Sequence, residues 1–280
     1  MMIRSVLLGS AVVLALVVLP QPAMAWAGFV HAHICDVAYE QLSPEAKRMV
    51  QSLTRGEFQF EKEGGFGAAC VWPDEVRSTT HRSTFGYHFI NVPRGKTYNA
   101  RRDCAAFDCT TQAVLRYMHY LSDGKASMRQ RAEALRFVGH FVADLHQPLH
   151  VGHKEDRGGN DIFVMWQNET KPKRLHAVWD GALPAAIGLL PLQSVRELAL
   201  QAPEAQRLTW QDGDINAWAA ESFQQSQQYA YRDAAGQELQ NGQALGAAYI
   251  QHTQAIVEQR IQQSVWRLVQ LLEQAASSAQ

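Results

Sequence analysis

The chain has 280 residues with 26 basic and 27 acidic side chains, a formal charge of −1. That balance excludes a duplex-DNA binder held mainly by phosphate neutralisation, because such proteins carry a broad cationic surface. With 46% hydrophobic residues, scattered Gly and Pro, and no repeat or low-complexity linker, it can bury a sizeable core, and one domain is expected.

In chain order, Met-Met-Ile-Arg, the apolar run Val6 to Leu19 and the small-residue box Ala23-Met24-Ala25 have the order of a secretory signal peptide, residues 1–25. Cleavage after Ala25 leaves Trp26 first and a mature domain of residues 26–280. No second apolar stretch is long enough to cross a bilayer, so a soluble, exported product, periplasmic or secreted, is expected, with no membrane anchor. A free α-amine has a pKa near ~8 and binds a metal once deprotonated, and His31 lies five residues on to share the ion. Downstream, apolar residues recur at three-to-four spacing: Ala113, Tyr117, Tyr120 and Leu121, then Ala134, Phe137, Val138, Phe141 and Val142. The last segment repeats the pattern through Ile250, Ile256, Ile261, Val265, Leu268 and Leu272. Alternating strand patterns are scarce, so the predicted class is all-α, packed helices around long irregular loops. Those loops are placed between Gly56 and Lys96 and between Val151 and Lys173, stretches rich in Gly, Pro, aromatic and polar residues.

Four cysteines in an exported chain allow three complete pairings. Cys104 with Cys109 closes a short loop, which leaves Cys35 with Cys70 to tie the first helix to the segment carrying Asp74. No Cys-x-x-Cys pair supports a thiolate metal site.

The chemistry concentrates in Gly139-His140-Phe141-Val142-Ala143-Asp144-Leu145-His146-Gln147-Pro148-Leu149-His150. His140 and Asp144 are four apart, so a helix projects both from one face toward a single ion. Pro148 ends that helix and puts His150 on the turn beyond, toward a second ion bridged by Asp144. A lone His-x-x-x-Asp is usually just a polar helix face, but a second one follows at His176 and Asp180. Upstream, Trp72-Pro73-Asp74-Glu75-Val76-Arg77 offers a carboxylate with a guanidinium three residues on, and Tyr87-His88-Phe89-Ile90-Asn91 offers an imidazole among aromatics. Five imidazoles, three carboxylates and one amine suit zinc better than oxygen-seeking calcium or magnesium.

These motifs resemble the zinc-dependent single-strand nucleases and 3'-nucleotidases of fungi and the bifunctional nucleases of plants, from Trp26 to about Asp180. The resemblance rests on the amino-terminal Trp with its His, Asp74-x-x-Arg77, His88-Phe89-Ile90, His140-x-x-x-Asp144 with His150, Gly158-Gly159-Asn160, and His176-x-x-x-Asp180. It implies three zinc ions: one held by Asp74, His88, His140 and Asp144; one by His150, His176 and Asp180; and one by the Trp26 amine and carbonyl with His31 and Asp144. Ions ~3.5 to 4 Å apart acidify a water and aim it at phosphorus. The implied activity is endonuclease and 3'-nucleotidase hydrolysis of P–O3' bonds in single-stranded DNA and RNA, giving 5'-phosphorylated products, by a monomer without a stable protein partner. Asp74 and Arg77 are the catalytic candidates, Arg77 by holding phosphate oxygens whose charge rises in the transition state. Phe89 falls on the family's base-stacking position, and Asn91, Lys96 and Asn160 are the other substrate-binding candidates. Asn91 stands where the fungal enzymes carry aspartate, and an amide both donates and accepts, so base preference does not transfer.

Each reading has a plainer rival: Arg77 as an ion-pair partner of Asp74 or Glu75, Phe89 as a core aromatic, Asn160 as a turn cap. His33, His81, His119, His146, His153 and His252 have no place in the ligand set, though His146 is a candidate to orient Asp144 or a neighbouring loop. Asn168-Glu169-Thr170 matches a glycosylation acceptor. The closest competing enzyme is a zinc-dependent phospholipase C, whose last ligand pair ends in glutamate where this chain has Asp180. A non-catalytic exported zinc-binding protein would need neither the Arg77 clamp nor Phe89 and Lys96.

Overall fold

The computed structural model describes residues 26–55, 65–106 and 108–278, so the predicted signal segment 1–25 lies outside the described residues. Its helices are α1 (Gly28–Gln41), α2 (Pro44–Thr54), α3 (Gly65–Val76), α4 (Ala100–Asp103), α5 (Thr110–Ser122), α6 (Met128–Leu145), α7 (Leu175–Ala177), α8 (Leu183–Ala186), α9 (Leu192–Gln201), α10 (Glu204–Gln211), α11 (Ile215–Gln225) and α12 (Ala247–Ser278). Five strands of two to four residues accompany them: β1 (Ile90–Val92), β2 (Val151–His153), β3 (Phe163–Trp166), β4 (Lys173–Arg174) and β5 (Ala244–Leu245). The architecture is mostly α, as the helical periodicity predicts.

Helix α6 is the axis of the molecule. Ser127 and Gln130 close a capping box at its start, satisfying amides that have no partner within the helix. From Ala134 through His153 every residue is buried, which is the signature of a helix packed on all sides. Its neighbours are α5, α3, α2, α1 and α12. The 32 residues of α12 span about 48 Å at 1.5 Å per residue, and bury Ile256, Ile261, Val265, Leu268 and Leu272 along one stripe. Behind the end of α6, the buried guanidinium groups of Arg260 and Arg267 reach Glu221 of α11 at 2.8 and 2.7 Å.

His146 belongs to that rear network. Its Nδ1 donates to the Val142 carbonyl at 2.7 Å and its Nε2 accepts from Arg267 at 2.9 Å, so its ring serves α12 rather than Asp144. Burial first, then the charges of Arg260 and Arg267, hold its pKa well below the usual value, which keeps the ring neutral. His153 is also buried, whereas His119 is exposed.

The stretch expected to be irregular from Gly56 is helical at Gly65–Val76, in spite of two glycines and Pro73. Tertiary packing overrides propensity there. A Cβ on Gly67 would lie 2.5 Å from the Asp36 carboxylate and 2.8 Å from the Ala32 carbonyl, so glycine lets α3 press against α1. The Cys35–Cys70 disulfide joins the same two helices, and Cys104–Cys109 closes the short loop before α5, so both expected pairings are present.

Both expected irregular stretches contain strands with a positioning role. β1 runs parallel to β2, pairing Ile90 with Val151 and Asn91 with Gly152, so the residues after His88 lie beside those after His150. β3 pairs antiparallel with β4 and parallel with β5, and α7 leaves directly from β4 carrying His176.

Candidate metal centre

Seven separate pieces of chain deliver donors to one buried region. α1 brings His31, α3 brings Asp74, a 3-10 turn at Arg82–His88 brings His88, and α6 brings His140 and Asp144. After α6, Pro148 opens a 3-10 turn that ends at His150. His176 lies on α7, and the ladder then widens into a π turn at Val178–Ala182 that carries Asp180. Asp74 and Asp180 are at most 7% exposed and the other donors at most 5%.

The donors fall into three groups: His31, His140 and Asp144; Asp74, His88 and His140; His150, His176 and Asp180. Within each group one atom from every residue lies within 4.8 Å of the others. Asp144 links them. Its Oδ1 is 3.1 Å from His31 Nε2 and 3.5 Å from His150 Nδ1, and its Oδ2 is 3.1 Å from both His88 Nδ1 and His140 Nε2. His140 stands in two groups, so it faces His31 as well as the Asp74 set. Trp26 is wholly buried, with its indole N–H donating to the Ala143 carbonyl at 2.9 Å and its own carbonyl 2.6 Å from His31 Nδ1.

The ring orientations are fixed from behind. His140 Nδ1 faces the Cys70 carbonyl at 2.8 Å, His150 Nδ1 the His88 carbonyl at 2.6 Å, and His176 Nδ1 the Gly158 carbonyl at 2.6 Å. A carbonyl only accepts, so each Nδ1 carries the proton, and in the neutral rings of His150 and His176 Nε2 points its lone pair into the cluster. Those lone pairs meet a carboxylate: His150 and His176 Nε2 lie 3.7 and 3.6 Å from Asp180 Oδ1, while His140 Nε2 pairs with Asp144 at 3.1 Å. Lone pair against carboxylate calls for a cation between them. Both Asp74 oxygens and His150 Nε2 are buried without a hydrogen bond, as donors awaiting an ion would be. Donor atoms around one tetrahedral ion with bonds near 2.0–2.1 Å stand about 3.3 Å apart, close to the separations seen here.

Electrostatics agree with a cation site. Burial lowers His150 to about 3 and His176 to about 4, so both rings are neutral in ordinary conditions. Burial works against the charged forms of both Asp144 and His140, but the two face each other, and the pairing holds Asp144 well below the usual carboxylate value and raises His140. Asp180 goes the other way. Its burial drives it well above the usual value, which marks a carboxylate short of positive charge.

A family model described as S1/P1 Nuclease matches residues 26–277, starting at Trp26. The chain belongs to the S1/P1 nuclease family. It is 30% identical to Endonuclease 3 of Arabidopsis thaliana over 95% of this chain and 94% of that protein. Nuclease P1 of Penicillium citrinum is 32% identical over 57% of this chain and 58% of its own length. Nuclease S1 of Aspergillus oryzae is 26% identical over 94% of this chain and 96% of its own. The three His/Asp groups fit a trinuclear metal site in a member of this family.

Around this S1/P1-type centre, Arg77 is buried and lies 3.2 Å from Asp74 Oδ1, so the ion-pair reading of Arg77 is realised. Its guanidinium also stands 5.9 Å from the ring centre of Phe85, which meets the half-buried Phe89 edge-to-face at 5.8 Å. Asn91 is half-buried in β1, and Lys96 is exposed on the turn that follows. Asn160 donates to the Arg157 carbonyl at 2.9 Å, bracing the Arg157–Asn160 turn, while its Oδ1 is buried and unbonded.

Sequence reasoning missed the groups that hold the ligands. Gln147 donates to Asp180 Oδ1 at 2.7 Å. Asp156 accepts from the Gly159 amide at 2.7 Å and from the Tyr231 hydroxyl at 2.8 Å, steadying the turn whose Gly158 carbonyl orients His176. Backbone carbonyls leave no trace in a side-chain motif. Gln147 lay inside the quoted motif, but no spacing rule pairs it with Asp180.

Proposed function

We propose that this protein is a zinc-dependent endonuclease and 3'-nucleotidase that hydrolyses P–O3' bonds of single-stranded DNA and RNA to 5'-phosphorylated products. One observation carries the reading: three buried His/Asp donor groups meet around Asp144 in a chain of the S1/P1 nuclease family. The nitrogen-and-carboxylate donor set suits zinc. The expected ligands are those named above, with the Trp26 amine joining once residues 1–25 are removed. The two disulfides support export of the mature domain 26–280. When bound, the ions supply Lewis acidity that acidifies water and neutralises charge on the phosphate oxygens.

The chain's own residues do the rest. Phe89 offers an aromatic face on which an unpaired base stacks, and a base held in a duplex must first leave its stack, which is the source of single-strand preference. Asn91, Lys96 and Asn160 supply polar contacts to the bound nucleotide. Arg77 steadies phosphate oxygens as their charge rises. Asp74, with both oxygens free of hydrogen bonds, is assigned to orient the attacking water. The water oxygen bonds to phosphorus, the P–O3' bond breaks, and the 3' oxygen leaves with a proton.

The test is hydrolysis of single-stranded DNA, RNA, 3'-AMP and phosphatidylcholine by the purified mature chain, with zinc counted before and after chelation. Chelator-sensitive cleavage of nucleic acid and 3'-AMP with about three zinc ions is expected. Cleavage of lipid alone would replace the reading by a phospholipase, and bound zinc without hydrolysis by a metal-storage protein. A chain with one extra residue before Trp26 is expected to lose most of its activity; full activity would remove the amine from the ligand set.

A further inference from the structure

We infer that Gln147 is a positioning residue of the centre: it fixes which oxygen of Asp180, and in which direction, is offered to the His150 and His176 group. The inference concerns metal binding by this chain's own residues and holds whether or not the nuclease reading survives. Gln147 is wholly buried in the two-residue gap between the end of α6 and the 3-10 turn of His150. Its amide is oriented without ambiguity. The Leu149 N–H donates to Oε1 at 2.6 Å, so Nε2 is the end that faces Asp180, donating to Oδ1 at 2.7 Å. Oδ1 is also the atom nearest His150 and His176 Nε2. One lone pair of this oxygen is therefore taken by the amide, which leaves the other to point between the two imidazoles.

The Asp180 backbone is anchored separately, since its carbonyl accepts from the Ala27 N–H at 2.7 Å. Gln147 acts on the carboxylate alone, and it does so from the chain segment that also carries Asp144 and His150. The amide thereby ties the spacing of the group to the end of α6. Partners of this kind typically alter metal affinity by roughly 10- to 100-fold.

The test is titration of the metal-stripped mature chain with zinc and with cobalt, read by bound-metal stoichiometry and by the visible cobalt spectrum. In Gln147→Met, one metal equivalent is expected to bind roughly 10- to 100-fold more weakly, with the other equivalents unchanged. Gln147→Glu keeps the acceptor for Leu149, and so keeps the turn, but loses the donor; its cobalt spectrum is expected to differ from the parent's. Unchanged affinity in Gln147→Met, or a parental cobalt spectrum in Gln147→Glu, would overturn the assignment. So would a Gln147→Met loss of metal-free thermal stability that accounts for the whole change in affinity.

A separate observation concerns substrate. We propose that Phe85 receives the base next to the one stacked on Phe89, an inference that rests on the nuclease reading. Phe85 is 53% exposed, lies one turn before His88, and forms a perpendicular corner with Phe89 beside the Arg77 guanidinium. An exposed ring adjoining both an aromatic platform and a phosphate-binding cation offers a second stacking face one nucleotide along. Base stacking at about 1–3 kcal/mol predicts that Phe85→Ala raises KM for a single-stranded octanucleotide roughly 5- to 150-fold, with KM for 3'-AMP unchanged and Phe85→Trp restoring the octanucleotide value. Equal effects on both substrates, or none on the octanucleotide, would overturn it. Failure of the parent chain to cleave either substrate would instead overturn the nuclease reading.

Discussion

The wall of buried donor residues and the rim of residues proposed to meet substrate are built on opposite principles. Each imidazole of the wall is buried, and those of His140, His150 and His176 are held from behind by a backbone carbonyl, so their Nε2 atoms are aimed before any ion arrives. The rim residues Phe85 and Lys96 are exposed, Phe89 and Asn91 are half-buried, and the strand that follows Phe89 is three residues long. A metal centre gains from preorganisation, because a rigid donor set loses little freedom on binding. A site that takes single strands of varied sequence gains from stacking faces that do not depend on one geometry. Changes in the wall should therefore be severe and change metal content, while changes in the rim should be mild and leave it intact.

The largest effect is expected at Asp144, among the described residues the only one with short contacts to His31, His88 and His140 together. Asp144→Asn removes the charge that all of these rings face. Hydrolysis of single-stranded DNA should fall on the order of a thousandfold, the scale of losing one charge stabiliser of a transition state, with fewer zinc ions bound. Parental zinc content and rate would break the contrast between wall and rim.

A smaller but clear loss is expected one layer behind the wall. Gly158 has φ +65°, and a Cβ there would stand 2.3 Å from the Leu149 carbonyl and 3.5 Å from His176 Nδ1. Gly158→Ala should cost about 1–3 kcal/mol of stability, from the left-handed backbone alone, and more if Leu149 cannot move. Thermal unfolding measures the first part, and zinc affinity shows whether the displaced carbonyl misorients His176. An unchanged midpoint would mean that the turn is not held as rigidly as the wall requires.

How much of this was legible in the sequence follows the same division. Two pairs of the donor groups were readable because helical spacing is short-range: His140 with Asp144 and His176 with Asp180 need only one turn each. Pro148 marked the helix end near Leu145, and the long apolar period marked α12. Helix α3 was not legible, because Gly65, Gly67 and Pro73 argue against a helix and only contact with α1 makes one. The second turn of His176–Asp180 is π rather than α, which alters where the carboxylate points but not the motif's spacing. The carbonyls of Cys70, His88 and Gly158 were invisible in principle, since every residue has a carbonyl and only the fold says which one faces a ring.

The rear support of α6 gives an effect of intermediate size that depends on pH. Burial disfavours the Glu221 carboxylate, yet hydrogen bonds and charges from Arg267 and Arg260 hold its pKa below the usual value. A folded pKa below the unfolded one means that the stabilisation is present above the unfolded value of roughly 4.3 and is lost as pH falls through the folded value. Glu221→Gln should therefore lower the thermal midpoint near neutrality, and the gap from the parent should narrow as pH drops below about 4. The side chain is 37% exposed, so solvent screens part of the effect. A gap that widened in acid would reverse the assigned sign.

The smallest effect is expected at Lys96, and it tests the rim most directly. The side chain is exposed on the turn after β1, so its attraction to a phosphate is screened by water and salt. An exposed charge contact is worth about 0.2–1 kcal/mol, which corresponds to less than about a sixfold rise in KM for single-stranded DNA in Lys96→Ala. That rise should shrink as salt is added, because the displaced counterions are what the contact gains from. Zinc content and kcat should stay at parental values, since Lys96 is none of the donors around Asp144. A large fall in kcat at every salt concentration would place Lys96 with the wall, and would mean that the rim is preorganised after all.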